Sequence, residues 1–180
     1  MIYVYLADGF EETEAVTPID LLRRGGKEVV IVGVGDNIIT SSHGVSIVAD
    51  TIAQEAPLTD ELEMIVLPGG MPGTLNLEKS PYVQAAIDYC VENNKFIGAI
   101  CAAPSILGHK GLLNGRKAVC YEGFETQLEG AETSDAPVAA DGIFITSRGA
   151  GTAVEFGLAL LEAAVSKAES IRVRNSIMFR

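Results

Sequence analysis

Short runs of apolar residues alternate along the chain with longer segments in which apolar residues recur every three or four positions. The short runs predict buried strands, and the longer segments predict amphipathic helices. This alternation is typical of an α/β protein in which helices cover both faces of a mainly parallel sheet. The predicted strands span residues 2–7, 28–35, 64–67, 96–100, 117–120, 138–140 and 143–146.

Three periodic segments predict helices. The first covers residues 12–25, with Thr13, Val16, Ile19 and Leu22 on its buried side and Gly25-Gly26 at its end. The second covers residues 81–93, and its apolar stripe comprises Val83, Ala86, Ile87, Cys90 and Val91. The third runs to about residue 166 and begins with a capping box formed by Thr152 and Glu155.

Two antiparallel pairs are expected beside the parallel strands. Residues 38–40 and 45–48 flank a polar turn and predict a small hairpin. Residues 138–140 and 143–146 are joined by Asp141-Gly142, a dipeptide that favours a tight hairpin turn.

Length and charge limit the classes of function. A chain of 180 residues fits one domain, spanning residues 1–180, and a net charge of −11 disfavours nucleic acid and anionic membrane surfaces as partners. No signal peptide is apparent, and no apolar run approaches the roughly 18 residues of a membrane span. We therefore expect a cytoplasmic protein.

The three cysteines show neither disulfide nor zinc spacing, so no metal or other cofactor is expected.

Residues 96–104 carry the most informative chemistry, because an apolar strand runs directly into a cysteine and then into a predicted helix. A nucleophile on a sharp strand-to-helix turn needs small neighbours two positions away, and Ala99 and Ala103 flank Cys101 in this way. Free amides of the helix's first turn favour a thiolate over a thiol. Cys101 is therefore predicted to be reactive. The alternative is that it is one more buried apolar cysteine.

The residues that follow each parallel strand are expected to meet, because ligands bind beyond the carboxyl ends of the strands in such sheets. Residues 8–14 and 68–73 follow two of these strands, and Cys101 follows a third. The glycines of the second segment allow a backbone amide to approach an oxyanion, so Gly70 and Ala102 are candidate donors. Alternatively, the glycines serve only the turn.

The acidic residues near the first helix divide into two groups. Glu11 and Glu12 are interpreted as solvated charges at the helix terminus. Glu14 lies deeper in the helix, and if it faces the crevice it lies beside Cys101. A carboxyl group next to a thiolate must either be protonated or raise the pKa of the thiol, so the two groups would titrate as a pair.

Neither histidine suits a catalytic triad. His109 lies eight residues beyond Cys101, about 12 Å along a helix, and is too distant to be its base. His43 lies at the tip of the early hairpin, where an exposed position is expected. No His-x-Glu pair is present, which disfavours a triad-type glutamine amidotransferase. The base that acts on Cys101 is therefore expected to be Glu14, a water molecule or a group of a partner subunit.

Four motifs occur in order along nearly the whole chain: Glu11-Glu12-x-Glu14, Leu67-Pro68-Gly69-Gly70, Ala99-Ile100-Cys101-Ala102-Ala103-Pro104 and Thr146-Ser147-Arg148-Gly149-x-Gly151-Thr152. With them the chain resembles the DJ-1/ThiJ/PfpI superfamily, most closely its small single-domain DJ-1-like members. The resemblance implies a flavodoxin-like, doubly wound sandwich and a homodimer. It also implies that Cys101 is the nucleophile, that Glu14 is its carboxyl partner and that Gly70 lies beside the oxyanion.

The chain departs from the family pattern at three places. Protease-like and chaperone-like branches carry a histidine directly after the nucleophile, where this chain has Ala102. DJ-1-like members often have a histidine near the strand end occupied here by Cys120-Tyr121. Tyr121 can donate a hydrogen bond to a substrate, but with an unperturbed pKa of about 10 it is a poor base. Ser42-His43 stands where an arginine is common.

Three functions remain open at this point. The leading hypothesis is a Cys101-dependent enzyme that acts on small reactive dicarbonyls such as methylglyoxal, or on their early adducts, in the manner of a glyoxalase or deglycase. Glu14 would move the proton between adjacent carbons, and Gly70 and Ala102 would hold the oxyanion. The first alternative is an oxidative-stress sensor or chaperone that works through oxidation of Cys101. The second is an amide or peptide hydrolase.

Overall fold

A computed structural model describes all residues, 1–180. Eleven strands and six α-helices are present. The strands are β1 (Ile2–Ala7), β2 (Val29–Val34), β3 (Ile38–Thr40), β4 (Ser46–Val48), β5 (Thr51–Ile52), β6 (Met64–Leu67), β7 (Phe96–Ile100), β8 (Lys117–Ala118), β9 (Glu132–Thr133), β10 (Val138–Asp141) and β11 (Phe144–Ser147). The helices are α1 (Glu12–Arg24), α2 (Gly73–Lys79), α3 (Pro81–Glu92), α4 (Pro104–His109), α5 (Ala153–Ala164) and α6 (Lys167–Ser176).

Seven strands form one sheet in the order β10-β11-β7-β6-β1-β2-β5. All neighbours in this sheet are parallel except β10 and β11, which form an antiparallel hairpin. Strands β3 and β4 form a second, separate hairpin. The predicted α/β fold, with a mainly parallel sheet and a small antiparallel hairpin, is confirmed.

Strand β1 shows why the sheet has helices on both sides. Its sequence is apolar throughout and every residue is buried, which is typical of a strand covered on both faces. Tyr3 and Tyr5 point to one face and pack in the apolar cluster that includes residues of α3 and α4. Val4 and Leu6 point to the other face, against α1 and α5. None of the helices combines the length and the apolar character that crossing a bilayer requires.

The buried face of α1 includes Ile19 and Leu22, as predicted, but not Val16 or Thr13. Val16 is 46% exposed, and Thr13 is exposed as well. The buried side is centred between Pro18 and Leu22, and because a helix turns by about 100° per residue, Val16 projects about 140° away from that centre. Glu14 lies on the buried side and points toward the sheet. Few residues of this segment are apolar, so its sequence is compatible with burial of either of two helix faces.

Three further predictions on local structure were wrong. Of the predicted strand at 117–120, only Lys117–Ala118 is extended, and it pairs with β9 outside the main sheet. Val91 is 37% exposed at the end of α3. Thr152 precedes α5 but forms no capping box with Glu155, because its hydroxyl bonds to Ser147 and Gly149 instead. Helices α2 and α6 and strands β5 and β9 were not predicted, since these segments are short or largely polar.

Candidate active site

Cys101 occupies the turn that follows β7, in a conformation that side chains rarely adopt. Its φ angle is +66°, in the left-handed region that costs a residue other than glycine free energy. Its N–H donates to the carbonyl oxygen of Ser147 over 2.9 Å, and its own carbonyl accepts from the N–H of Tyr121 over 2.8 Å. Bonds from two other chain segments therefore hold the backbone of this residue in place.

The side chain of Glu14 meets that of Cys101. Glu14 is 1% exposed, and a Cβ on Gly69 would lie 2.6 Å from Cβ of Cys101 and 2.7 Å from Oε2 of Glu14, so the two side chains are neighbours. The N–H of Gly69 donates to Oε2 of Glu14 over 2.9 Å. The structure thus brings together the two residues expected to act as a pair.

Both members of the pair titrate above their ordinary ranges. Burial raises the pKa of Glu14 to about 7, although hydrogen bonds from Cys101, Gly69 and Ala150 counteract part of this effect. Burial, followed by the negative charge of Glu14 and its hydrogen bond, raises the pKa of the Cys101 thiol to about 12. Backbone amides do favour the thiolate, as expected, but burial and Glu14 outweigh them, so the thiol is the favoured form. Helix α4 begins only at Pro104, and two backbone amides do not outweigh burial beside a carboxylate.

The backbone N–H groups of Gly70 and Ala102, the two predicted oxyanion donors, both lower the pKa of the Cys101 thiol. Gly70 has a φ angle of +90°, and a Cβ at this position would lie 2.5 Å from backbone atoms of Gly9 and Glu11. Glycine is therefore required here for the close packing of two loops as well as for the turn.

Glu11 and Glu12 have specific partners and are not simply solvated charges. Oε2 of Glu11 accepts the N–H of Glu14 over 2.8 Å and so caps α1. Glu12 pairs with Nδ1 of His43 at 3.1 Å, while Nδ1 of His109 pairs with Glu78. Neither histidine is therefore bonded to the Cys101–Glu14 pair.

Glu11, Glu12 and His43 also form the single group in the structure whose ligand atoms could surround a metal ion, since these atoms lie within 4.8 Å of one another. One Glu11 oxygen already serves as the cap of α1. The positive N-terminus of that helix also disfavours a cation. We therefore assign no metal to this group.

An open groove of about 480 Å³ is bordered by Gly149, where a Cβ would lie 3.8 Å from Oε1 of Glu14, although neither Cys101 nor Glu14 lines the groove. Tyr121, Arg148, Gly149 and Ala150 are among the residues that line it. The ring of Tyr121, which is 53% exposed, lies against Gly149, where a Cβ would be 3.4 Å from the ring. Gly149 thus lies between the Tyr121 ring and the Glu14 carboxyl, at distances of ordinary van der Waals contact.

Sequence reasoning missed two contributors to the site, Gly69 and Ala150. A Cβ at position 69 would lie 2.6 Å from Cβ of Cys101 and 2.7 Å from Oε2 of Glu14, so only glycine fits. Ala150 contributes its backbone N–H, which carries no residue-specific signal. The glycines on either side of Ala150, in Gly149-x-Gly151, were the one sign that this backbone approaches another group.

Comparison with known proteins identifies the family. The sequence model of the DJ-1/PfpI family matches residues 1–163. The chain belongs to the DJ-1/PfpI family. Within it, protein DJ-1 homolog B of Arabidopsis thaliana is 35% identical over 183 residues, which cover 99% of this chain but 41% of that protein. The chain therefore spans less than half the length of that relative.

Two further DJ-1 proteins bear on the site. A Schizosaccharomyces pombe relative named glutathione-independent glyoxalase DJ-1 is 32% identical over 176 residues, covering 92% of each chain. The solved structure of oxidized Toxoplasma gondii DJ-1 is similar with a TM-score of 0.94 at 34% identity, covering 99% of this chain and 97% of that one. The chain thus has a DJ-1 fold and belongs to a family that includes a glutathione-independent glyoxalase.

Proposed function

We propose that the protein converts small dicarbonyls such as methylglyoxal to hydroxy acids, with Cys101 as nucleophile and no added cofactor. The observation that carries this proposal is the contact between the Cys101 thiol and a buried carboxyl, Glu14, with a pKa of about 7. A carboxyl group with such a pKa exchanges protons readily in both directions near neutral pH. The S. pombe relative named as a glyoxalase supports the same reaction class.

The first step is addition of sulfur to the aldehyde carbon. Ionised Glu14 takes the thiol proton as the C–S bond forms, which offsets the high pKa of Cys101 in the resting site. The aldehyde oxygen becomes an alkoxide, which the N–H groups of Gly70 and Ala102 stabilise. Protonation of that oxygen from Glu14 then gives a neutral hemithioacetal and restores the carboxylate.

The second step moves hydrogen between the two adjacent carbons. Glu14 removes the proton from the carbon bonded to sulfur, the electron pair passes to the neighbouring carbonyl, and its oxygen takes up a proton to give an enediol. Return of a proton to the second carbon, with loss of the proton from the hydroxyl on the first carbon, yields a thioester of lactate on Cys101. Water then attacks the thioester, the C–S bond breaks and the thiol is regenerated, so that methylglyoxal and water give lactic acid.

Tyr121 is proposed to bind the substrate. Its side chain is half exposed and lines the groove that Gly149 borders, while its backbone N–H donates to the carbonyl of Cys101. Its hydroxyl can donate a hydrogen bond to a carbonyl oxygen of the dicarbonyl.

The homodimer implied by the family resemblance remains a prediction, and light scattering of the purified protein tests it.

The decisive experiment is a lactate assay on purified protein with methylglyoxal and without glutathione. We expect lactate to form in the unmutated protein, and a reaction in D₂O to place deuterium on the second carbon when Glu14 exchanges its proton with solvent before returning it. Absence of lactate under conditions in which the protein is folded would overturn the proposal.

A second candidate function is oxidation sensing through Cys101. The oxidized state of the T. gondii structure favours it, as does the position of Glu14, which when protonated can donate a hydrogen bond to a sulfinate oxygen. Under this alternative, mild peroxide adds two oxygen atoms to Cys101 and methylglyoxal yields no lactate. No observation favours the amide hydrolase, because both histidines are paired elsewhere and Ala102 follows the nucleophile.

A further inference from the structure

The segment that follows β8 reaches the nucleophile through two backbone N–H groups. The N–H of Val119 donates to Oγ1 of Thr146 over 2.9 Å, and the N–H of Tyr121 donates to the carbonyl oxygen of Cys101 over 2.8 Å. Donors two residues apart follow the period of a β-strand, but the first acceptor is a side chain and not the backbone of a neighbouring strand. A side chain of β11 therefore stands where a strand ladder would otherwise hold this segment.

Thr146 is itself fixed by the main sheet. It is buried in β11, and its backbone lies opposite Ala99 of β7 on one side and Ala139 of β10 on the other. Its hydroxyl is the acceptor for Val119, a fully buried residue whose N–H has no other acceptor. A buried N–H without a partner costs free energy, so the hydroxyl keeps Val119 against β11.

The other attachments of the segment lie before Val119. Oδ2 of Asp141 accepts the N–H of Lys117 over 3.0 Å, and β8 pairs with β9. Beyond Ala118, the bond to Thr146 is the single hydrogen bond that the backbone makes before it reaches Cys101. Removal of the Thr146 hydroxyl therefore releases the part of the segment nearest the nucleophile and leaves β8 attached.

The bond from Tyr121 orients the peptide that joins Cys101 to Ala102. A peptide unit is planar and trans, so its C=O and its N–H point in opposite directions. The C=O of this unit accepts the N–H of Tyr121, and its N–H is that of Ala102, the proposed oxyanion donor. The φ angle of +66° at Cys101 is costly, and such a conformation persists only where surrounding bonds enforce it.

We propose that Thr146 is a positioning residue, whose hydroxyl holds the segment from Val119 to Tyr121 so that Tyr121 keeps the turn at Cys101 in place and aims the N–H of Ala102. Thr146 acts through backbone groups of other residues and touches no reacting atom. Its hold on the turn is independent of the reaction, and only its kinetic consequence rests on the proposed function.

The test is Thr146→Val, which keeps the shape of the side chain and removes the hydroxyl. The amide proton of Tyr121 and the carbonyl carbon of Cys101 are followed by NMR of the folded protein, without substrate. We expect both signals to move upfield, because the hydrogen bond that joins the two groups weakens. Thr146→Ser, which retains a hydroxyl, restores both positions. Thr133→Val, at an exposed position of β9 with no side-chain hydrogen bond, leaves them unchanged.

These signals separate positioning from a general loss of stability, since destabilisation alone does not move the signals of the folded state. Unchanged signals of Tyr121 and Cys101 in folded Thr146→Val overturn the proposal. If Thr146→Val does not fold, native-state hydrogen exchange is measured on the unmutated protein at increasing urea. Val119 and Tyr121 should then share one opening free energy, and separate values would overturn the common hold.

Kinetics test the consequence for catalysis. When lactate is made, Thr146→Val should lower kcat by about tenfold or more with little change in KM, because the Ala102 N–H acts on an oxyanion that forms only after binding. Shifted signals with an unchanged kcat overturn the role assigned to Ala102. Shifted signals in a protein whose unmutated form makes no lactate keep the positioning role and overturn only the proposed function.

Discussion

The N–H of Gly69 donates to Oε2 of Glu14 over 2.9 Å, and the missing side chain of the same residue leaves the room that the Glu14–Cys101 pair occupies. A loop after β6 thus both stabilises the carboxylate and permits its contact with sulfur. Burial still dominates, and the pKa of Glu14 stays near 7. This balance makes the pair suitable for proton exchange at neutral pH.

Removal of the nucleophile is the first prediction. We expect Cys101→Ser to reduce lactate formation to the background rate, because a serine hydroxyl beside Glu14 is a far weaker nucleophile. Cys90→Ala is the matched control, because Cys90 is fully buried in α3, within the apolar core cluster and away from the turn that holds Cys101. Equal loss of turnover in both variants would contradict the assignment of Cys101.

Glu14→Gln tests the proton shuttle. The amide cannot exchange a proton, so we expect turnover to fall by roughly 10²-fold or more, the usual scale for loss of a general acid–base group. Cys101 should still be oxidised to sulfinate by mild peroxide, as measured by mass spectrometry of its tryptic peptide. Glu12→Gln, in the same helix but paired with His43, serves as the control. Retained turnover in Glu14→Gln would exclude the shuttle.

The raised pKa of Glu14 also predicts how stability depends on pH. Its native pKa of about 7 lies above its ordinary value of 4.5, so the native state binds the proton more tightly than the unfolded state does. This contribution is complete below about pH 4.5 and is lost as pH rises through 7. Between these limits the unmutated protein should lose on the order of 3 kcal/mol of unfolding free energy relative to Glu14→Gln. Urea unfolding across this pH range measures the difference, and parallel stability curves would refute the assignment.

Gly69→Ala is expected to disrupt the pair. The added methyl group would lie 2.6 Å from Cβ of Cys101, so one of the two side chains must shift. We expect a loss of about 1–3 kcal/mol in unfolding free energy and of about 10²-fold in turnover. Gly151→Ala is the control, since a Cβ there meets no atom within 4 Å. Wild-type turnover in Gly69→Ala would show that the contact between Cys101 and Glu14 is not needed.

The role of the Tyr121 hydroxyl is tested by Tyr121→Phe. The ring keeps its edge-to-face contact with Phe124, and the backbone N–H still holds Cys101. Loss of one substrate hydrogen bond should raise KM by about 2- to 10-fold with little change in kcat. Tyr82→Phe, another exposed tyrosine, should leave both constants unchanged. An unaltered KM in Tyr121→Phe would remove Tyr121 from the substrate site.

Much of the fold could be predicted because strongly apolar runs leave few alternatives. Residues 2–7, 64–67 and 96–100 are buried strands in the structure with nearly the predicted bounds. Segments with weaker patterns were misread. Residues 117–120 are apolar enough for a strand but pair only briefly outside the sheet, and Thr152 resembles a cap yet bonds backward to Ser147.

The residue types available for chemistry can be read from the chain alone: a cysteine between small neighbours after a strand, a glutamate early in a helix and a pair of glycines after another strand. That Glu14 lies beside Cys101, that the thiol is favoured over the thiolate and that Gly69 donates to the carboxyl follow only from the folded arrangement. A pKa and a hydrogen bond depend on burial and on the distance between chain segments. Strand order and helix rotation set both of these quantities, and no local pattern of residues records them.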